Sequence, residues 1–299
     1  MIDFKVPRAE DCVLIDTKRW IQNNLGGLTV HKMSGRGIPT YTAKVISVYP
    51  KKEIFKEVIK NEDTVLLTRV ASEIAGYKSF EVEVGDKRYF NIPIMQVIGV
   101  FSNDKISLDS LTLLFDKILI KKIDTREVSG IILPDSNTMI GEVVKTGTCS
   151  FDKEWNKKEL AVKKGDIVLV RDNVSTEVTL NDEVYFATEE SMVMGIFRAK
   201  PYTLENLEVI GENIIMESFI SPNAFNTDLL TPSLNFEEED ITDFYNRDLF
   251  KVLKVNENLT QVKKDDILLL DRNITNYVYV GLDKYFTVSG LVDVSAKVK

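Results

Sequence analysis

The sequence predicts an all-β fold that contains three small β-barrels in tandem. Short apolar or alternating segments are separated by Gly, Asp and Asn turns, and no long stretch has helical periodicity. Matching segments return along the chain at offsets of 103 and 100 residues. Short strands at regular spacing are typical of barrels, and the return of one pattern indicates tandem copies of one module.

The repeat is clearest in an apolar strand that begins with aspartate and is followed by arginine. Its three copies occupy residues 63–67, 166–170 and 266–270, and their arginines are Arg69, Arg171 and Arg272. A Tyr-Phe pair also returns three times, at residues 89–90, 185–186 and 285–286. An ordered set of this kind is improbable by chance. We therefore predict three modules, at residues 1–105, 106–203 and 204–299.

The first copy opens with an apolar strand at residues 11–15, followed by a long loop at residues 16–40. Residues 41–48 alternate between apolar and polar side chains, which predicts the next strand. In residues 50–60 the apolar side chains have helical spacing. This segment is predicted to be a short helix or a lengthened hairpin. A linker is predicted at residues 102–112.

The second copy is the stretch around which the rest of the chain is organised. Its opening strand, residues 114–122, is followed by a polar loop that contains one apolar patch at residues 130–133. Further strands are predicted at residues 141–144, 162–170, 182–187 and 191–197. The loop at residues 148–161 places Phe151 and Trp155 among charged residues.

The third copy follows a second linker at residues 199–206, and its opening strand is predicted at residues 213–216. Its first loop, residues 217–249, is far longer than that of the second copy. The loop includes an acidic stretch at residues 236–243, which the charge pattern predicts to be a solvated face. Its closing segment, residues 291–294, matches the other copies less closely.

Composition excludes several classes of partner. The net charge is −8 and the pI is near 5.0, which argues against a nucleic-acid partner because phosphate binding needs clustered Lys and Arg. No apolar run approaches the length of about 18 residues that a membrane span needs. The N-terminus lacks the apolar core of a signal peptide. Cys12 and Cys149 form no metal-ligand or disulfide motif, so a reducing, cytoplasmic setting is expected.

Residues for catalysis are missing from the pattern. The chain has one histidine, His31, and the sequence singles out neither a nucleophile nor an orienting group for it. No phosphate-binding Gly-x-x-x-x-Gly-Lys-Ser/Thr motif is present. The acidic stretch lacks the glycine and final glutamate of an EF-hand loop. We therefore expect no enzymatic activity, no cofactor and no metal site.

The ordered strands of residues 114–197 resemble the GroES-type co-chaperonins, the lids of GroEL-type folding chambers. The resemblance rests on strand order and spacing, on the patch Gly130-Ile131-Ile132-Leu133, and on Lys-Lys-Gly-Asp before a later strand. It implies that the patch lies on a flexible loop and docks in a groove of the chaperonin. It also implies a roof hairpin at residues 148–161, and a ring in which the opening strand of one subunit pairs with the closing strand of the next.

A second docking loop is predicted in the first copy, where Gly27, Leu28, Thr29 and Val30 take the place of the apolar patch. The third copy offers only Leu229 and Leu230 in its longer loop. From the residues alone, each patch could instead fold back and cover its own barrel.

Two functional hypotheses follow. The first is a cytoplasmic co-chaperonin-like protein that forms a ring or lid, docks a GroEL-type chaperonin through the apolar loop and assists protein folding. The alternative is a structural assembly protein, for instance a ring or shell component of a virus particle, that uses the same modules to oligomerise. Both expect self-association, without nucleic acid or membrane. The number of subunits stays open, because three modules per chain do not divide the seven of the family ring.

Overall fold

The structure is a computed structural model of the 299-residue chain. It describes residues 11–16, 24–25, 28–29, 42–71, 81–84, 87–102, 105–123, 127–128, 131–132, 138–152, 154–171, 175–219, 247–271, 276–280, 283–289 and 294–298. No helix in this described part of the chain is long and apolar enough to cross a membrane.

Strands make up nearly all of the regular structure. The first part of the chain contains β1 (Cys12–Asp16), β2 (Asn24–Leu25), β3 (Leu28–Thr29), β4 (Thr42–Tyr49), β5 (Thr64–Leu67), β6 (Glu81–Val84), β7 (Lys87–Pro93), β8 (Val97–Phe101) and β9 (Leu111–Leu113). The middle part contains β10 (Lys117–Lys122), β11 (Glu127–Val128), β12 (Ile131–Ile132), β13 (Thr138–Thr146), β14 (Ser150–Phe151), β15 (Lys157–Lys158), β16 (Ile167–Arg171), β17 (Thr176–Leu180), β18 (Glu183–Glu189), β19 (Val193–Phe197) and β20 (Leu207–Val209). The last part contains β21 (Asn213–Ser218), β22 (Arg247–Val255), β23 (Ile267–Asp271), β24 (Asn276–Val280), β25 (Asp283–Ser289) and β26 (Val294–Val298).

Three large sheets share one strand order. The orders are β6-β7-β1-β4-β5-β8-β9, β17-β18-β10-β13-β16-β19-β20 and β24-β25-β21-β22-β23-β26. The all-β class predicted from the sequence is therefore confirmed. Within the described ranges the end strands of each sheet do not pair with each other, so closure into barrels stays a prediction.

The register of the strands shows that the repeated residues are structurally equivalent. The opening strands pair with the Tyr-Phe strands so that Phe90 lies opposite Ile15, Phe186 opposite Ile120 and Phe286 opposite Met216. The repeated residues therefore occupy equivalent positions in the three sheets, and the interpretation as three tandem copies of one module stays a prediction. In the first copy, the segment of helical spacing forms a 3₁₀ turn at Glu53–Phe55, which buries Phe55.

The closing strand of the third copy differs from the sequence prediction. β26 lies at residues 294–298, and Ala296 pairs with Leu269. The equivalent pairs in the other copies are Leu66 with Gly99 and Leu169 with Gly195. The loose match at residues 291–294 was out of register, because Val294-Ser-Ala-Lys-Val298 shares little apolar pattern with the other closing strands.

The chain divides into two compact units. One contains Met1–Lys122, Glu142–Gly165 and Val174–Glu190, and the other contains Ile123–Gly141, Asp166–Asn173 and Ser191–Lys299. The second copy thus contributes residues to both units. The module boundaries predicted near residues 105 and 203 remain predictions.

Each unit has its own apolar cores. In the first unit, fully buried side chains from several strands meet in one cluster that includes Val13, Ile15, Val45, Leu67 and Ile92. In the second unit, the two faces of β21 supply two different clusters, because successive strand side chains point to opposite sides. This two-sided burial accounts for the continuous apolar runs in the opening strands.

Candidate functional site

The apolar patch of the second copy contains one strand of a small hairpin. β11 pairs antiparallel with β12, with Glu127 opposite Ile132 and Val128 opposite Ile131. Two residues separate the paired positions 128 and 131, and a two-residue hairpin turn favours glycine. Ile131 and Ile132 are thus placed together on one strand, whereas Gly130 and Leu133 lie outside the described residues.

The first copy has a hairpin of the same register. β2 pairs with β3, with Asn24 opposite Thr29 and Leu25 opposite Leu28. Leu28 and Thr29 occupy the positions of Ile131 and Ile132 in the second copy (131 − 28 = 103). The rest of this predicted patch, Gly27 and Val30, falls outside the described residues.

The base of the second-copy loop is fixed by main-chain bonding. The Ile123 N–H donates to the Ile140 carbonyl over 2.8 Å, which closes the loop at residues 124–137. Met139 and Ile140, where the chain returns, are buried. Ile140 belongs to an apolar cluster with Leu169 and Met194. The hairpin is therefore attached to the packed part of the second unit.

Two short strands join consecutive copies: β9 lies at the end of the first predicted linker and β20 directly follows the second, and both are called linker strands below. β9 pairs with β8, which places Leu113 opposite Gly99, and β20 pairs with β19, which places Val209 opposite Gly195. The resemblance implied that a contact of this kind forms between ring subunits. It implied that the opening strand of one subunit pairs with the closing strand of the next. In this chain the contact lies within one chain, and the strand that pairs with the closing strand is the short strand before the next opening strand, β9 or β20.

The sequence also predicts that residues 117–121 and 191–196 lie at a contact between copies. In agreement with this, Leu119 packs in one buried cluster with Leu66 and Ile98 of the first copy, and β19 pairs with β20.

Corresponding apolar side chains surround the two linker strands. Around β9, the cluster includes Leu66, Ile98, Phe101, Leu111, Leu113, Leu119, Val178 and Leu180. Around β20, the equivalent residues are Leu169, Met194, Phe197, Leu207, Val209, Ile215, Val278 and Val280. All of these side chains are buried. The copies are therefore joined by packed cores rather than by open linkers.

Glycine allows the linker strands to approach closely. A Cβ at Gly99 would lie 2.5 Å from the Thr112 carbonyl oxygen, and a Cβ at Gly195 would lie 2.5 Å from the Glu208 carbonyl oxygen. Both contacts are with backbone atoms, so a small rotation of a side chain would not relieve them. No local sequence pattern accounts for these two glycines.

One lysine side chain donates hydrogen bonds to main-chain carbonyl groups in or beside each linker strand. The Lys145 Nζ donates to the carbonyls of Leu108, at 2.8 Å, and of Leu111. The Lys254 Nζ donates to the carbonyls of Glu205 and Leu207, each at 2.8 Å. Burial lowers the pKa of both ammonium groups, because desolvation disfavours the charged form. Sequence reasoning missed both lysines, which lie in β-strands with no distinguishing local pattern.

Aromatic rings connect the roof hairpin of the second copy with the first copy. β14 and β15 form the hairpin, and Trp155 between them lies 5.9 Å from Phe55 between ring centroids. Phe151 lies 5.6 Å from Phe115, and Phe115 lies 5.3 Å from Phe55. The Lys52 Nζ is 3.2 Å from the centroid of Trp155. The hairpin thus packs on the 3₁₀ turn of the first copy as well as on its own copy.

A group of charges lies beside the opening strand of the second copy. Lys117 is 1% exposed, and its Nζ is 2.6 Å from the Glu189 Oε1 and 3.6 Å from the Asp116 Oδ1. That Asp116 oxygen makes no hydrogen bond. Burial raises the pKa of Asp116, which Lys117 partly opposes. The pKa of Glu190 is also raised by burial, although its carboxylate accepts the Val162 N–H over 3.1 Å. The arrangement pairs buried charges and offers no nucleophile.

The described residues contain neither a candidate metal site nor a disulfide. No group of three or more His, Cys, Asp or Glu side chains there could hold a metal ion. Cys12 and Cys149 form no disulfide, and both are buried. His31 lies outside the described residues, as do the acidic stretch and most of the long loop of the third copy.

Comparison with known proteins agrees with the geometry of the second copy. The family described as "Chaperonin 10 Kd subunit" matches residues 110–197. The co-chaperonin GroES of Solidesulfovibrio magneticus is 32% identical over 89 residues, which cover 28% of this chain and 93% of that protein. The chain belongs to the GroES co-chaperonin family. The GroES of Elusimicrobium minutum is 40% identical over 88 residues, covering 28% of this chain and 90% of the relative. The GroES of a Wolbachia strain from Drosophila simulans is 35% identical over 92 residues, covering 30% and 96%.

The GroES match supports one module, the second copy. The first and third copies lie outside residues 110–197, and their likeness to the second rests on strand order and register. The GroES relatives are co-chaperonins by name and give no support to the alternative of a structural shell component.

Proposed function

We propose that this protein is a co-chaperonin that docks a GroEL-type chaperonin through the hairpin of its second copy. The observation that carries the proposal is the Ile131–Ile132 strand, which stands on the first loop of the module that matches GroES. Gly130 and Leu133 complete the docking segment. In this proposal the chain assists protein folding as part of a lid or ring in the cytoplasm, and it has no enzymatic activity of its own.

The energetics suit a reversible lid. Burying one aliphatic side chain contributes about 1.5–3 kcal/mol at most. Ordering a loop on binding costs about 2–5 kcal/mol, so one hairpin binds weakly. Several hairpins held on one assembly bind far more tightly, because each additional contact forms at high effective concentration. A hairpin also presents main-chain groups to a groove, which adds specificity to the apolar contact.

The first copy supplies a second and weaker docking hairpin in this proposal. Leu28 and Thr29 stand at the positions of Ile131 and Ile132, with Gly27 and Val30 around them. Threonine buries less apolar surface than isoleucine and must keep its hydroxyl hydrogen-bonded, so this hairpin contributes less to binding. Two unequal hairpins per chain would let one chain contact two subunits of a chaperonin ring.

Ring formation belongs to the same proposal. The internal junctions use a strand pairing of the kind that the resemblance implies between ring subunits, although a different strand supplies it. β26 is the last strand of its sheet and has the register of β8 and β19, each of which accepts a linker strand. Pairing of β26 with the N-terminal segment of another chain would extend the same contact around a ring.

The test is a triple replacement, Ile131→Ser, Ile132→Ser and Leu133→Ser, assayed for binding to the cognate chaperonin with ATP by mass photometry. Binding is expected to fall by at least about a hundredfold, because the loss at each hairpin is multiplied over the assembly. The melting temperature should not change if the patch docks a partner. A matched control replaces Asp135→Asn and Asn137→Ser in the same loop and should bind normally.

Three results would overturn the proposal. Failure of the unaltered protein to bind its cognate chaperonin would remove the docking function. Full binding by the triple variant would remove the hairpin from that function. A large drop in melting temperature for the triple variant would show that the patch covers its own barrel.

A further inference from the structure

Arg171, the last residue of β16, is a partly buried cation where the second copy meets the third. Its Nε donates to the Met194 Sδ over 3.2 Å, and its Nη2 donates to the Ser289 Oγ over 2.8 Å. Both acceptors are neutral. Burial lowers the pKa of the Arg171 guanidinium, and no charge among the described residues contributes to the shift. Within the described part of the chain, this positive charge therefore has no carboxylate partner.

The guanidinium of Arg171 has further donors that a ligand can use. It carries five N–H groups, and two of them are bonded to Met194 and Ser289. The other three have no acceptor among the described residues. The Arg171 nitrogens are not among the buried polar atoms that lack a partner, so these donors are open to solvent. Two N–H groups on one side of a guanidinium bind two oxygens of an oxyanion at once, which suits phosphate.

The hydroxyl group beside Arg171 is held in place by a buried amide. Ser289 is exposed at the end of β25, and its Oγ donates to the Asn213 Oδ1 over 2.9 Å. The Asn213 Nδ2 in turn donates to the carbonyls of Val193, at 3.1 Å, and Ile210, at 2.9 Å. Asn213 is buried, and these bonds fix its orientation. The polar groups are therefore arranged before any ligand binds, which lowers the entropy cost of binding.

The second copy carries a carboxylate at the position of Ser289. Pairing of the opening strand with the Tyr-Phe strand sets Lys117 opposite Glu189 in the second copy, and Asn213 opposite Ser289 in the third. The Lys117 Nζ lies 2.6 Å from the Glu189 Oε1 in an ion pair. The third copy has neutral residues at both positions, although a cation, Arg171, contacts one of them. The negative charge that Glu189 supplies in the second copy is thus missing beside Arg171.

We propose that Arg171 and Ser289 bind a small oxyanion of the phosphate class, which supplies the negative charge that Glu189 supplies in the second copy. Only the folded junction binds this anion, because Arg171 comes from the second copy and Ser289 from the third. Binding therefore stabilises the contact between these two copies by mass action. Free inorganic phosphate and the terminal phosphate of a nucleotide share this chemistry. The proposal is independent of chaperonin docking.

The first experiment follows urea unfolding in inorganic phosphate and in sodium chloride of equal ionic strength. The urea midpoint of the unaltered protein should rise with phosphate concentration above the dissociation constant. We expect that constant to be millimolar, because one guanidinium supplies few charge-assisted bonds. Phosphate also stabilises proteins in general, so the response is compared with that of Arg171→Gln, which should keep only this general part. The control Arg198→Gln removes an exposed arginine that is ion-paired with Glu208, and it should keep the full response.

A second variant carries the test if Arg171→Gln does not fold. Ser289→Glu places a carboxylate beside Arg171 at the position that Glu189 occupies in the second copy. It should be more stable than the unaltered protein in chloride, and it should lose the specific response to phosphate. Ser289→Gln is the uncharged control of the same size and should not be stabilised. A Ser289→Glu variant that still responds fully to phosphate would overturn the proposal.

The second experiment measures binding directly and separates the two sources of phosphate. Phosphorus NMR titrations use the unaltered protein with inorganic phosphate and with ADP. Binding of ADP at least about tenfold tighter than phosphate would identify a nucleotide as the ligand, and equal or weaker binding of ADP would identify free phosphate. Absence of binding by both compounds, or equal binding of phosphate by Arg171→Gln, would overturn the proposal.

Discussion

Replacing Lys117 by methionine should destabilise the protein more at neutral than at acidic pH. Lys117 is 1% exposed and its Nζ lies 2.6 Å from the Glu189 carboxylate, with Asp116 at 3.6 Å. Methionine keeps most of the side-chain volume and removes the charge. Removal of one partner from a buried ion pair typically costs about 3–5 kcal/mol. The Glu189 side chain is 39% exposed and can turn towards water, so we expect a loss of about 2–3 kcal/mol at pH 7.

The pH dependence follows from Asp116. Burial raises the pKa of this carboxyl group, so the folded state binds its proton more tightly than the unfolded state does. Stability from this group is therefore greatest at low pH and declines as the pH rises through the raised pKa. Lys117 opposes the rise in pKa, and its loss lets the pKa of Asp116 increase further. The deficit of the variant should shrink as acid neutralises Asp116.

Urea unfolding at pH 7 and pH 5 measures both effects. The control is Lys121→Met in the same strand, since Lys121 is exposed and its ion pair with Glu183 is open to water. This control should change stability little. Addition of Asp116→Asn to Lys117→Met should recover part of the loss at pH 7. The reasoning fails if Lys117→Met is as stable as the control, or if its deficit grows on acidification.

Three further outcomes are expected. Gly195→Val should lower the free energy of unfolding by at least about 2 kcal/mol, because the new Cβ would lie 2.5 Å from the Glu208 carbonyl oxygen. An unchanged urea midpoint would contradict this close approach. Trp155→Ala should lower the free energy of unfolding by about 1–2 kcal/mol in the same assay, because the indole, although 40% exposed, packs on Phe55 and under Lys52. An unchanged urea midpoint would show that the aromatic cluster contributes nothing to stability. Burial raises the pKa of Cys12 to about 11, so its thiol should be alkylated at pH 8 only after the protein unfolds. Peptide mass spectrometry measures the alkylation, and labelling of the folded protein would show that the thiol is accessible to the reagent.

Local pattern was enough to predict the opening strands. Alternation and turn residues placed the opening strands within a few residues of β1, β10 and β21. These features depend on the period of a strand and on turn chemistry, which neighbouring residues encode. The match of residues 291–294 was out of register because it, too, depended on local pattern alone. The closing strand of the third copy has no distinctive local pattern, and its register became visible only through pairing with β23.

The proposed docking segment was inferred from the resemblance rather than from its own chemistry. Ile131 and Ile132 look like any apolar pair in a polar loop, and alternation alone does not separate a docking strand from a core strand. The structure adds that both predicted patches contain a strand of a hairpin with one register. Pairing of Leu25 with Leu28 could not be read from composition, because a single residue of slip changes which side chains share a face.

The sequence by itself determined the class of the fold and the family to which the second copy belongs. The tertiary structure alone decided how consecutive copies are joined. Residues 111–113 and 207–209 lie at or just beyond the predicted linkers, and they form short strands with two buried side chains each, hydrogen-bonded by Lys145 and Lys254. Their pairing depends on carbonyls and glycines that come together only when two modules are packed. Such contacts join residues distant in the chain, and their energy comes from excluding water between whole modules, which no local pattern records.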